Sequence, residues 1–260
     1  EQELGIAREK QQALLPREFH QFPHLHVTGI NQPCQTVGGD YFDVLELDDG
    51  RTGFLIADVS GKGLGAAMLA TMLQGALSGM ALSQDPAKVF VHINRFLCDH
   101  ASVGRYATLF FAILDPSGRL EFTNAGHPSP LLLRQGRVEA PFPASGYPVG
   151  LIPDAEFTST TMMLEPGDTL VLFSDGITEA MDPDEQEFGT HRLKEALAGH
   201  ADTSVEELQR LVLGSVENFA RGARQADDLT LLLIRYPSAA QSAQAGVIEG
   251  SGRSRTRAAS

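Results

Sequence analysis

Four separate segments bring carboxylates to junctions between apolar strands and loops. "VGGDYFD" sets Asp40 behind two glycines at the start of a strand, and "FLIADVSGKG" sets Asp58 at the end of another. "TLVLFSDGITEA" runs a strand straight into Asp175, and "RQADDLTLLLI" places Asp227 and Asp228 just ahead of a further strand. An ionised carboxylate at the edge of a core loses hydration unless a cation or hydrogen-bond donors replace it. Taken singly, each acid reads as structural, Asp175 for instance as the opening of an Asx-type turn before Gly176. If the strands pack so that these ends converge, the acids repel one another and stay ionised only with divalent cations among them. Oxygen-only donors, with no Cys or His at ligand spacing, suit Mg²⁺ or Mn²⁺ rather than Zn²⁺. Two such ions, about 3.5–4 Å apart, can activate a bridging water and neutralise phosphoryl oxygens during in-line hydrolysis. Glycines at 38, 39, 61, 63 and 176 would let backbone approach metal or phosphate closely. Phosphoester hydrolysis is the resulting expectation.

The elements that must position these acids can be read from periodicity. Leu4, Ala7, Gln11 and Leu14 follow helical spacing and Pro16 ends that helix. The chain opens in mid-helix without a Met, which leads us to expect a longer helix continuing from an upstream domain, the rival being a helix folded back on its own domain. The runs "LHVTGINQP", "DYFDVLEL" and "TGFLIADVS" read as a meander, the last two joined by the turn "DDGR". Two helical segments follow, "LGAAMLATMLQGALSGMAL" and "PAKVFVHINRFLCDHA", then strands at "RYATLFFAILD", "RLEFTNAG", "SPLLLR" and "TLVLFSD". Helices near 190–199 and 204–221 precede a last strand, "LTLLLIRY". Strands in blocks and helices in pairs favour an α+β layered fold over a doubly wound parallel sheet. From Pro237 the composition becomes small, polar and aperiodic, so residues 237–260 are expected to be a disordered tail.

Composition narrows the function classes. The formal charge of −13 argues against nucleic-acid binding and fits a protein that gathers cations. No apolar run reaches the roughly 20 residues needed to cross a bilayer, and the charged start is unlike a secretory signal, so a cytoplasmic protein without membrane contact is expected. Cys34 and Cys98 read as reduced thiols in or near the core, without a disulfide framework. His24 and His26 would share a strand face, a weak metal signal without a third ligand. "SGKGLGA" matches a relaxed dinucleotide fingerprint, but a second helix follows where a strand bearing a ribose-binding acid should stand. It is no Walker loop either, since Ile56 and Gly63 occupy the positions of its first Gly and its Ser or Thr. Cys98 and Arg105 miss the Cys-x5-Arg spacing by one residue, and no G-x-S-x-G elbow exists.

The ordered set "GGDYFD", "ADVSGKGLGAAMLA", "NAGHPSPLLL", "LFSDGITEA" and "DDLTLLLI" resembles the bacterial sporulation-phosphatase family of the SpoIIE and RsbU type, over roughly residues 4–236. That family is a branch of the metal-dependent serine/threonine phosphatases related to protein phosphatase 2C. The resemblance implies a four-layer α-β-β-α sandwich of two mainly antiparallel sheets, with two Mn²⁺ or Mg²⁺ ions at one end. It divides the chain into a linker or dimerisation helix at 1–16, a phosphatase domain at 17–236 and the tail. It matches Asp58 to the carboxylate bridging both metals, Val59 to a ligand through its backbone carbonyl, and Asp40 to an acid near the first metal. Asp175 and Asp227 match ligands of the second metal, with Asp228 taking the latter place if the register is off by one. Ser60 stands where the eukaryotic enzymes carry a His thought to be the general acid, so that role is unassigned. A metal-bound water or Lys62 could supply the proton or steady the phosphate, against the favoured reading of Lys62 as a solvated turn residue, and Asn124 and His127 read as fixing a tight strand connection. The resemblance further implies a phosphorylated protein substrate of the STAS anti-anti-sigma type, partner switching in signal transduction, and a homodimer with Leu4, Ala7 and Leu14 as seam and Gln11 as its polar position. The rival from a different class is a catalytically silent binding module of the same fold.

Overall fold

A computed structural model describes residues 2–16, 22, 25–47, 49–80, 85–101 and 104–237. His24 and the expected tail beyond Pro237 lie outside these residues.

One sheet contains β1 (His26–Gln32), β6 (Leu131–Arg134), β7 (Arg137–Glu139), β9 (Thr169–Phe173) and β10 (Leu229–Arg235), in the order β1-β10-β9-β6-β7. The other contains β2 (Tyr41–Glu46), β3 (Thr52–Val59), β4 (Ala107–Leu114), β5 (Arg119–Ala125) and β8 (Thr160–Met163), in that order. Every ladder within the two sheets is antiparallel. Helices α2 (Leu64–Ser78) and α3 (Pro86–His100) cover the second sheet, while α5 (Gly189–Leu197) and α6 (Val205–Ala220) cover the first. The result is the expected four-layer α-β-β-α sandwich.

Strand alternation explains why runs such as "TLFFAIL" are apolar at every position. Phe54, Ile56, Phe110 and Ala112 face the interlayer space and meet Leu170, Leu172, Leu232 and Ile234 of the opposite sheet. Their odd-numbered or even-numbered neighbours face outward, Leu55, Ala57 and Phe111 against α2 and α3. Leu231 and Leu233 do the same against α5 and α6. Each side chain buried in this way contributes about 1.5–3 kcal/mol, so both faces of each sheet help to hold the layers together. Two of the helices begin at side-chain caps. The Asp85 side chain accepts from the Ala87 N–H at 2.9 Å with Pro86 in the first turn, and Ser204 accepts from the Glu207 N–H at 3.2 Å.

Two expectations need correction. The three-strand meander does not form, because β1 pairs along its whole length with β10 in the other sheet. The connection at 33–40 is too long for a tight hairpin, and it crosses the end of the sandwich instead. The Asn31 side chain donates to Thr230 Oγ1 at 2.8 Å and helps to fix that pairing. Asp175 does not open a loop turn but begins a one-turn helix, α4 (Asp175–Thr178). Strands β7 and β8 escaped the periodicity reading, since both are short, sit at sheet edges and bury almost nothing.

Helix α1 (Gln2–Leu14) forms as expected but buries none of its residues. It lies on its own domain: the Gln11 amide donates to Gly38 O at 2.6 Å and accepts from Gly38 N–H at 3.1 Å. Ala7, Gln11 and Leu14 face α2 across a cavity, while Leu4 and Ile6 are exposed. Gln11 is thus occupied by the Gly38 backbone rather than free for a helix seam.

Candidate metal centre

The acids converge because of strand parity. On β3, Phe54 and Ile56 point into the interlayer space, and Asp58 continues the same face to the open end of the sandwich. On β2, Phe42 and Val44 point inward, and Asp40 precedes them on that face. Tyr41 pairs with Ala57, so continuing the register by one pair sets Asp40 opposite Asp58. On β10, Leu232 and Ile234 point inward, and Thr230 and then Asp228 extend that row toward the same end. The Asp40 carboxylate accepts from Thr230 Oγ1 at 2.6 Å, tying the two sheets together at the acidic end.

The charges of this cluster disfavour one another even though several of the acids have hydrogen-bond partners. Burial, then repulsion from Asp175, Asp227 and Asp228, pushes the Asp58 carboxyl up to about 7, against a hydrogen bond with Asp40. Burial and the nearby Asp58 hold Asp40 well above the usual carboxylate range, although Ser174 and Thr230 donate to it. Asp175 is raised by burial and Asp227, against the opposing pull of the Gly176 N–H and Lys62. Glu179, which sequence reasoning overlooked, joins the rim: burial, Asp175, Glu187 and Asp227 raise its carboxyl. Asp40, Asp58, Asp175, Asp227 and Asp228 are therefore brought into one electrostatic unit, as the four segments suggested.

Asp227 and Asp228, adjacent in sequence, do different things. Asp228 is buried and accepts from the Gly39 N–H at 2.6 Å and the Cys34 N–H at 2.8 Å, clamping the crossing loop. Asp227 faces Lys62, whose Nζ lies 2.7 Å from its carboxylate and donates to Ala226 O at 2.5 Å. Lys62 is thus an ion-pair partner at the edge of the cluster, not simply a solvated turn residue. Two glycines are needed for close approach. A Cβ on Gly39 would lie 2.8 Å from the Val59 carbonyl oxygen, and one on Gly176 would lie 2.0 Å from the Asp228 carbonyl oxygen. The Val59 carbonyl is therefore packed against backbone alone on that side.

Other candidates resolve as structural. Ser60 Oγ accepts from the Tyr106 N–H at 3.0 Å, and Arg105 donates to Ser60 O at 2.5 Å. Asn124 Nδ2 donates to His127 O and Phe142 O, both at 3.1 Å, and its Oδ1 accepts from the His127 N–H at 2.9 Å. The His127 ring is buried between Thr108 Oγ1 and Phe173 O, and burial pushes it down to about 3, so it is neutral. Both residues fix the strand connection, as their types suggested.

The donor set fits hard divalent cations. The cluster is all oxygen, partly buried and self-repelling, so ions would relieve the repulsion that lifts Asp58. A different trio, Cys34, Asp227 and Asp228, has donor atoms within 4.8 Å of one another. It is a poor metal site: burial and Asp228 push the Cys34 thiol up to about 11, and both Asp228 oxygens are already held by backbone N–H groups. Cys34 is free and half-buried, at the end of the sandwich rather than in its core.

The family model "Stage II sporulation protein E (SpoIIE)" matches residues 48–237. The chain belongs to the SpoIIE family. The matched stretch contains Asp58, Asp175, Asp227 and Asp228, while Asp40 lies ahead of it. Among SpoIIE-type relatives, Protein IcfG of Synechocystis sp. is 28% identical over 89% of this chain and 41% of its own length. Phosphoserine phosphatase RsbU of Bacillus subtilis is 27% identical over 90% of this chain and 70% of its own length. The chain thus spans about two fifths of one curated relative and about two thirds of the other. The SiaA-PP2C domain of Pseudomonas aeruginosa superposes with a TM-score of 0.79 at 22% identity, covering 90% of this chain and 96% of that one. The fold is shared with that domain.

Proposed function

We propose that this chain is a serine/threonine protein phosphatase hydrolysing phosphoserine or phosphothreonine with the help of two Mg²⁺ or Mn²⁺ ions. The observation that carries the reading is the convergence of five aspartates, with Asp58 pushed up to about 7 by burial and by its acidic neighbours. Asp40, Asp58, the Val59 carbonyl, Asp175 and Asp227 would hold the ions, with Asp228 holding the loop that carries Gly38 and Gly39. When bound, such ions supply water activation and neutralise phosphoryl oxygens. The chain's own residues do the rest: the pairing of β2 with β3 sets Asp40 opposite Asp58, and Lys62 pairs with Asp227. Gly39 and Gly176 leave the backbone room to close around the acids.

Kinship supports a substrate class. RsbU is named a phosphoserine phosphatase, and membership in its family supports a phosphorylated STAS-type anti-anti-sigma regulator as substrate, within a cytoplasmic partner-switching system. No helix among the described residues is long and apolar enough to cross a membrane. A homodimer through α1 would use the exposed Leu4 of the expected seam, and Gln11 would pass any displacement of the helix to Gly38.

The test is phosphate release from a generic phosphoester with Mn²⁺, with chelator, and in a folded Asp58→Ala variant. Turnover lost in both controls supports a metal phosphatase. Turnover that survives chelator refutes it.

A further inference from the structure

One opening beside the acidic cluster is not used by the chemistry above. A cavity of about 310 Å³ begins at Gly176 and Asp227 and runs between α4, α6 and the loop at 222–228. Its inner wall is apolar, formed by Met181, Leu213, Val216 and Leu229. Its rim is acidic: Glu179 from the end of α4 and Glu217 from α6 are both exposed there. Asp227 is already paired with Lys62, so these two glutamates are the acids left for a guest, against one cation, Arg224, among the described lining residues.

We propose that this cavity is a subsite for a lysine or arginine side chain flanking the phosphorylated residue of the protein substrate; this rests on the phosphatase reading and adds a substrate preference to it. The chemistry matches at both ends of such a side chain. Its methylene stem lies along Met181, Leu213 and Leu229, and its charged head reaches Glu179 and Glu217 at the rim. A volume near 310 Å³ is at the lower end of small-ligand sites, which suits one long side chain rather than a folded element. Position fixes the spacing. The cavity opens at Asp227 and at the residue following Asp175, so an extended substrate, at about 3.3 Å per residue, reaches it within roughly three residues of the phosphate. An acidic guest would meet two carboxylates in a chain of net charge −13.

The test uses peptides carrying a non-hydrolysable phosphonate in place of phosphoserine, with Arg, Leu or Glu at the flanking positions, bound in Mg²⁺ and read by fluorescence anisotropy. We expect the Arg peptide to bind on the order of tenfold tighter than the Glu peptide, with Leu between them. The preference collapses in Glu217→Gln and reverses in Glu217→Lys, an exposed position on α6 whose replacement leaves the core intact. Equal binding of the Arg and Glu peptides, a Leu peptide as tight as the Arg peptide, a preference that survives Glu217→Lys, or no binding of any peptide each overturns the subsite. Turnover of a small aryl phosphate, too short to enter the cavity, is followed in parallel. Its absence in the wild type counts against the phosphatase reading alone, and its presence without charge preference counts against the subsite alone.

Discussion

Replacing Asp58 by Asn should stabilise the metal-free protein while abolishing its activity. Burial and three neighbouring aspartates raise the Asp58 carboxyl from 3.8 to about 7. A carboxyl raised on folding contributes stability through its protonated form, fully present below about pH 4 and lost as pH rises through about 7. At pH 8 the metal-free wild type therefore holds Asp58 ionised at a disadvantage of about 4 kcal/mol, taking roughly 1.4 kcal/mol for each pH unit between the two values. The side chain is partly open to water, which screens the repulsion and brings the expected gain down to about 2 kcal/mol. Asn keeps the shape, carries no charge and can donate to Asp40. For a domain of this size the gain corresponds to a rise of about 4–8 °C in Tm. Thermal melts at pH 8 in chelator should show the variant above the wild type, and the gap should shrink to well under half at pH 5, where folded Asp58 is protonated but the unfolded carboxyl is still ionised, and close below about pH 4. Adding Mn²⁺ should raise the wild type by mass action and leave the variant nearly unmoved. A variant that melts at or below the wild type at pH 8 in chelator, or a gap of equal size at pH 5, would refute the reasoning.

Gly176→Ala puts a Cβ 2.0 Å from the Asp228 carbonyl oxygen and should cost about 3 kcal/mol in urea unfolding, because the obstacle is backbone. Lys62→Met removes an exposed partner of Asp227 and should change stability by less than about 1 kcal/mol. The same variant should tighten divalent-cation binding by on the order of threefold in a calorimetric titration, since the ammonium competes for that carboxylate; weaker binding would show Lys62 to be a support instead. His127 has the opposite linkage to Asp58. Its folded value is depressed to about 3, so the stability it contributes is complete above its ordinary value near 6.5 and falls away as pH drops toward 3. His127→Gln should lower stability at pH 7 by about 2 kcal/mol through the lost contacts to Thr108 and Phe173, and should flatten the acid limb of the stability profile.

Much of the layer architecture was legible because it rests on repetition. Runs such as "TLVLF" and "LTLLLI" have no polar face, which requires cover on both sides, and the paired helices supply it. The error at β1 has a physical origin. "HVTGINQ" carries strand character, but nothing in its own seven residues names a partner, and the strand that completes it, β10, stands at the far end of the chain. Partner choice over such a distance is set by which edge remains open after the rest has folded. Strands β7 and β8 were missed for a related reason: edge strands of three or four residues bury too little to impose a pattern.

The site was legible to the extent that parity carries it. Asp58 follows Phe54 and Ile56 at intervals of two, and Asp40 precedes Phe42 and Val44 in the same way, so their convergence needs only the register of β2 with β3. Asp227 and Asp228 show the limit of that argument. Parity gives Asp228 the inward row through Thr230, which favours it as a ligand, yet its oxygens are consumed by the N–H groups of Gly39 and Cys34. Those donors belong to a loop 189 and 194 residues away in sequence. Asp227 lies two residues ahead of the strand, off the inward row, and is turned toward Lys62, with Asp58 and Asp175 near enough to feel its charge. An acid in a row of inward-facing residues is therefore a candidate ligand only until the backbone donors around it are counted. Here Asp228 is held by two backbone N–H groups of the crossing loop, whereas Asp227 accepts one, from Asp228 itself, and turns its other oxygen to the exposed Lys62, so Asp227 keeps the place the resemblance gave it.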